Sequence, residues 1–320
     1  MRIGSSATGG ATAARRTLTV VATAVVALGL GSAPAAGQAG DPRPDLGAGW
    51  KDAEEASSGL ELLAHLDKPE GFFHPDAPND PAQIGSIAHA NSDLAFSGDY
   101  AFVGNFAGFN IYDISDPTDP QLVTSVICPG GQGDMSVYGD LLFMSVEETR
   151  GRIDCGTEGA PGQVNPERFR GVRIFDISDI TNPVQVAAVQ TCRGSHTHTL
   201  VTSPNDPDNV YVYNSGVAGV RPGAELAGCT NTPNSNNPED FLDPDGNPIL
   251  TSRFMVEIIK VPLAAPETAH VVAEARLMAD PETGNPHGLW PGGNHGPGTQ
   301  TTTATDACHD ITAYPEIGLA

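Results

Sequence analysis

Basic side chains are scarce. Sixteen lysines and arginines stand against 39 aspartates and glutamates in 320 residues, a net charge of -23. That balance excludes nucleic acid and an anionic membrane surface as main partners. It is also what keeps a soluble exported protein dispersed. Aromatic residues are few, at 6%, whereas Gly (37) and Pro (27) are plentiful. Such a chain builds short elements joined by turns, not long helices. Cysteines number only five, Cys128, Cys155, Cys192, Cys229 and Cys308, and the odd count calls for a reason.

The N-terminus reads as an export signal over residues 1–35. Arg15 and Arg16 precede the apolar run TLTVVATAVVALGLGSA, and Ala33–Ala35 supplies small residues for cleavage. The run is too short, and wrongly flanked, to span a membrane, so the mature chain has no transmembrane segment. No cysteine near the cleavage point offers a lipid anchor. The expected location is secreted or cell-surface, where cysteines pair. The twin arginines do not settle the export route. Residues 36–88 read as an N-terminal linker. Within them GLELLAHLDKPEG has the look either of a closing strand at 59–66 or of a short amphipathic helix over 54–66.

Self-similarity dominates what remains. FNIYDISDPTDPQLVTSVICPGG (109–131) returns as VRIFDISDITNPVQVAAVQTCRG (172–194). Each is an alternating strand, Asp-Ile-Ser-Asp, a Pro-containing turn and a second alternating strand. A degraded third copy, 253–277, keeps strand, turn and strand but loses Asp-Ile-Ser-Asp. Two further strands precede each copy, joined by the tight turns SGD, YGD and NDPDN. The unit is four antiparallel strands, a to d, and the first unit has the length of a propeller blade. The fold class is therefore all-β, a β-propeller of four-stranded antiparallel blades. About three blades and the start of a fourth fill 89–320, so the chain reads as a C-terminally truncated propeller.

The segments NIYDISDPTDPQLV and RIFDISDITNPVQV resemble the LVIVD-repeat family. The resemblance covers most of 89–320. It implies a propeller outside the cytoplasm and says almost nothing about activity.

Propeller topology puts the d-to-a connection and the b-to-c loop on one face. Cys128 and Cys192 each follow a d strand. Cys155 and Cys229 each lie in the next unit's b-to-c insertion. Cysteine spacing alone permits other pairings; the repeat selects Cys128–Cys155 and Cys192–Cys229. Cys308 takes the same place in a fourth unit and is left unpaired.

The segment GSHTHTLV opens strand a of the third unit, and alternation sends His196 and His198 to one side. His89 takes the corresponding place in the first unit, and His309, followed by Asp310, in the fourth. The second unit offers Asp134 and Met135. Imidazoles from successive blades at one rim of the axis are a candidate site for zinc, copper or iron. The ligands would be His89, His196, His198 and His309, with Asp310 and Asp134 behind them. The alternative is that these histidines cap strand ends. His287 and His295 sit in a Gly/Pro-rich loop (284–298) that reads as a plain loop or a lid. Asp240, Asp243, Asp245 and Asn247 make an oxygen-rich stretch, but Gly246 is misplaced for an EF-hand and a polar turn fits better. No nucleophile triad, phosphate loop or dinucleotide fingerprint is present.

Two functions follow. One is a binding or scaffold module that meets an extracellular protein or glycan through the long insertions, 147–171 and 215–252. The other is a metal-dependent oxidoreductase or hydrolase built on the histidines.

Overall fold

The computed structural model describes residues 43–49, 52–74 and 89–320, so the export signal lies outside the described residues. Residues 1–56 and 57–320 are separate compact units. In the first, a 3-10 turn at Arg43–Asp45 precedes a bond from the Gly47 amide to Glu54 (2.8 Å).

The second unit carries three four-stranded antiparallel sheets, each in sequential order. The first holds β1 (Asn91–Ser97), β2 (Tyr100–Asn105), β3 (Gly108–Asp113) and β4 (Gln121–Ile127). The second holds β5 (Met135–Tyr138), β6 (Leu141–Val146), β7 (Gly171–Asp176) and β8 (Val184–Gln190). The third holds β9 (Thr197–Thr202), β10 (Asn209–Ser215), β11 (Met255–Pro262) and β12 (His270–Arg276). A small hairpin, β13 (Gly293–Asn294) and β14 (Thr301–Thr302), follows. No α-helix occurs among the described residues. Strand β5 lies against both β1 and β9, so the first strands of the blades are the inner ones. These are propeller blades.

Period-two alternation divides the middle blade between two cores. Leu142, Met144 and Phe175 pack with Phe102, Phe109 and Ile111 of the first blade. Leu141, Phe143, Val172 and Ile174 pack with Val210, Val212, Ile259 and Val261 of the third. Strand β6 is therefore buried along its whole length. Each fully buried aromatic or branched chain contributes about 2 kcal/mol. Phe109 and Phe175 also meet edge to face, centroids 5.1 Å apart.

Strand d of every blade bulges at the same place, with Val123, Val186 and Val272 as the extra residues opposite Ile111/Tyr112, Ile174/Phe175 and Ile258/Ile259 of strand c. This fixes the equivalences between blades. Gly108 and Gly171 open strand c with φ of +143° and +149°, and a Cβ at either would strike the carbonyl of Val126 or Val189. Only glycine fits there. Two residues on, Asn110, Arg173 and Glu257 occupy one equivalent position, and all three are buried polar groups.

Both expected disulfides are present, Cys128–Cys155 and Cys192–Cys229, with sequence separations of 27 and 37. Cys308 is unpaired and half-buried beside an apolar cavity of about 230 Å³ on the β11–β12 side, and burial pushes its thiol up.

The region 54–66 corrects both expectations for it: it forms neither the closing strand at 59–66 nor a helix. Leu60, Leu62, Leu63 and Leu66 are all exposed. No described strand pairs with them, and a strand without a partner does not persist. Buried Phe72 is the anchor of this segment instead.

Candidate functional site

The blade axis carries a repeated clasp. The Asp93 carboxylate accepts the amide of Met135 in the next blade (3.1 Å), and Asp134 accepts the amide of His198 one blade further (2.7 Å). Register confirms the equivalence. Ala95, Ser136 and Thr199 each pair with the strand-b residue (Phe102, Phe143, Tyr213) that faces the strand-c isoleucine at the bulge. Asp93, Asp134 and Thr197 therefore share one position, and Met135 and His198 the next. Burial, and Asp134 beside it, push the Asp93 carboxyl up, although the Met135 amide opposes this.

The same register places the histidines. Counting back from Thr199, His196 matches Ser92 in the first blade and Gly133 in the second. His89 lies three residues ahead of Ser92. It does not join the others: burial and the cations Arg150 and Lys68 lower its pKa, and its carbonyl accepts from Lys68 and Asn105. His198 is fully buried. Its Nδ1 is 2.8 Å from both Ser145 Oγ and Asp134 Oδ2, and its Nε2 has no partner.

His196 and His309 are brought together. Their Nε2 atoms are 2.9 Å apart and their ring centroids 4.5 Å, at 67°. Each Nδ1 is held by a carboxylate, Glu147 for His196 (2.9 Å) and Asp310 for His309 (2.6 Å). The bond to Glu147 raises the His196 pKa against the effect of burial, and the bond to His309 lowers that of Asp310. Thr197 and Thr199 hold the His309 segment through bonds to the carbonyls of His309 and Ile311. Among the described residues, no three or more His, Cys, Asp or Glu side chains converge as a metal cage.

The other candidates are turns. Asp243 accepts the amides of Asp245 and Asn247 (2.9 and 2.8 Å), which lower its pKa and close a polar turn. In the 284–298 loop, the Leu289 amide bonds to Ser235 O, so the loop lies against the 215–252 insertion, and His295 stacks on Trp290.

A second site, which sequence reading misses, lies between the two insertions. The 147–171 insertion is gathered around Arg168, whose guanidinium donates to the carbonyls of Thr149, Ala160, Gly162 and Gln163 and to Glu225. Glu225 belongs to the other insertion and also receives Arg221 (2.7 Å) and the Asn165 amide (3.1 Å). A cavity of about 400 Å³ remains between them, lined by Thr149, Gln163, Arg168, Arg170, Gly219 and Arg221 among others. Eight of the chain's sixteen basic residues are arginines from 150 to 253. That concentration within an acidic chain is the sequence signal for this site.

With the blades and these sites described, the class is a β-propeller module. Residues 90–127, its first blade, match the LVIVD repeat, so the chain carries an LVIVD repeat there. No curated protein matches the chain. Among solved structures, a Lactobacillus plantarum protein aligns at 14% identity and TM-score 0.27, over 60% of this chain and 57% of its own. The phage phi92 endosialidase aligns at 10% and 0.30, over 58% of this chain and 26% of its own. AztD of Citrobacter koseri aligns at 9% and 0.21, over 58% of each. Likenesses this slight say nothing about function. The two disulfides and the LVIVD repeat fit an extracytoplasmic protein. No helix among the described residues is long and apolar enough to cross a membrane.

Proposed function

We propose that the protein is an exported binding module that meets an extracellular partner through its two long insertions. One observation carries this reading. The insertions of successive blades, each tied by a disulfide, join through Glu225 and border an open cleft between them. Preorganised loops on a rigid sheet scaffold are the usual makings of a recognition surface. Gly219 gives a clean test, because it lines the cavity and a Cβ there meets open space. On arrays of glycans and extracellular domains probed with oxidised protein, Gly219→Trp is expected to weaken binding about tenfold or more. Equal binding by the variant would sink this reading.

The His196–His309 pair favours a second reading, a metal-dependent activity at the rim. With both Nδ1 nitrogens donating to carboxylates, two Nε2 lone pairs face each other and repel unless a proton or an ion lies between them. His196 and His309 would be the protein ligands of such an ion, each through its Nε2. Glu147 and Asp310 stand where outer carboxylates orient metal-bound histidines. Coordination positions left open by two ligands would admit water or substrate. Equilibrium dialysis against zinc, copper and iron is expected to load one ion per chain. His196→Ala or His309→Ala should abolish loading, and Glu147→Gln should weaken it about 10- to 100-fold. Loading that ignores these substitutions, or none at all, removes the metal from the rim and leaves a proton-sharing pair.

A further inference from the structure

The insertion cavity has an imbalance of charge. Three guanidiniums, Arg168, Arg170 and Arg221, line it with a single carboxylate, Glu225. Both Glu225 oxygens are already engaged, Oε1 by Arg221 and Oε2 by Arg168 and the Asn165 amide. Arg168 is saturated by loop carbonyls, and Arg221 is held by Glu225, Gln190 and the Arg168 carbonyl.

Arg170 is different. The residue is only 5% exposed, yet its guanidinium makes one described bond, from Nη2 to Gly219 O (3.1 Å). Its Nε is sealed off with no partner. No carboxylate is paired with it. Burial, with Arg221 close by, lowers its pKa to about 10 against the opposing pull of Glu225, which still leaves it charged at neutral pH. Glu225 is near but its oxygens are bonded to Arg168, Arg221 and Asn165, so the buried Arg170 cation has no carboxylate of its own, which is costly. A planar guanidinium with free N–H groups is suited to receive a carboxylate from outside.

We propose that Arg170 is the anchor for the carboxylate of an acidic sugar, bound in the cavity between the two insertions. This rests on the insertion-face reading and names its ligand. The lining favours sugar over acidic peptide. Thr149, Gln163 and the turns Pro161–Gly162 and Gly219–Val220 offer hydroxyl, amide and backbone groups that can pair with the several hydroxyls of a sugar ring. No sheet edge lines the cavity to take an added strand, which peptide recognition commonly uses. A cavity of about 400 Å³ also holds one sugar residue comfortably.

The probes are glucuronate, glucose and N-acetylglutamate, titrated calorimetrically into the oxidised protein, the Arg170→Gln variant and the Arg170→Lys variant. Glucuronate is expected to saturate the wild type and to bind at least about tenfold more tightly than glucose. Arg170→Gln should lose at least about tenfold, and Arg170→Lys should recover only part, since a lysine lacks the planar fork. Arg170→Gln should melt at or above the wild-type temperature, because it removes an uncompensated charge; a purely structural arginine would lower it. Three results overturn the proposal. One is no saturation by glucuronate, a second is affinity unchanged in Arg170→Gln, and the third is tighter binding of N-acetylglutamate. Array partners that are neutral and lost with Gly219→Trp, beside no glucuronate binding, would leave the insertion surface standing and remove its acidic ligand.

Discussion

Replacing Cys192 and Cys229 together with alanine is expected to cost about 4 kcal/mol and to free the 215–252 insertion before the blades melt. The magnitude follows from the loop closed, 37 residues, in the chain-entropy account of cross-links. The location follows from packing. The two cysteines form a small cluster of their own with Met255, onto which only Val220 and Leu226 pack. This cluster is separate from the two inter-blade cores, so once the sulfurs are gone the insertion depends on polar contacts, chiefly those of Glu225 and Arg193. Limited proteolysis should therefore cut within 217–250 in the variant while β9 to β12 stay protected. Cleavage spread evenly over the chain, or no change in protection, would show that the insertion is held by something other than this bond.

The second large effect is a pH dependence centred on Glu257. This carboxyl lies buried in β11, where it accepts the Cys192 amide (2.7 Å) and Asn214 Nδ2 (3.1 Å). No cation is bonded to it, and burial pushes its pKa up to about 7, with the two hydrogen bonds opposing. The folded state therefore holds a proton that the unfolded chain gives up near pH 4.5. Stability from this group is full below pH 4.5 and is lost as pH rises to about 7, for a total of about 3 kcal/mol. Melting temperature should accordingly fall between pH 5 and pH 7.5, and Glu257→Gln should flatten that part of the curve. Other acidic groups contribute equally in both proteins, so the difference between the two curves is the quantity to read. Parallel curves would mean that Glu257 is ionised throughout.

Much of the fold is legible in the sequence, because blades repeat. Asp-Ile-Ser-Asp marks the end of strand c twice, and the alternation around it gives strand direction and the two disulfides. The histidine rim is legible only in part. His196 and His309 meet, but His89 lies two residues before β1 begins at Asn91, and the register of β1 shifts by one residue between Asn91 and Leu94. A register shift leaves no trace in residue spacing. The buried arginines are hidden for another reason: Arg168 bonds to four loop carbonyls, and carbonyls carry no sequence identity. A column through the repeats does expose one buried polar position, since Asn110, Arg173 and Glu257 interrupt three otherwise apolar strands at the same step.

The axial clasp bears on what counts as one unit of this protein. Asp93 and Asp134 each accept an amide that belongs to the following blade. A blade cut out at its sheet boundaries would thus leave an acceptor on one side and a donor on the other without mates. A blade that is duplicated or transplanted must therefore bring both halves of the clasp, an inner-strand carboxylate and the amide next to it, as Asp134 and Met135 do together, for the series to stay indexed.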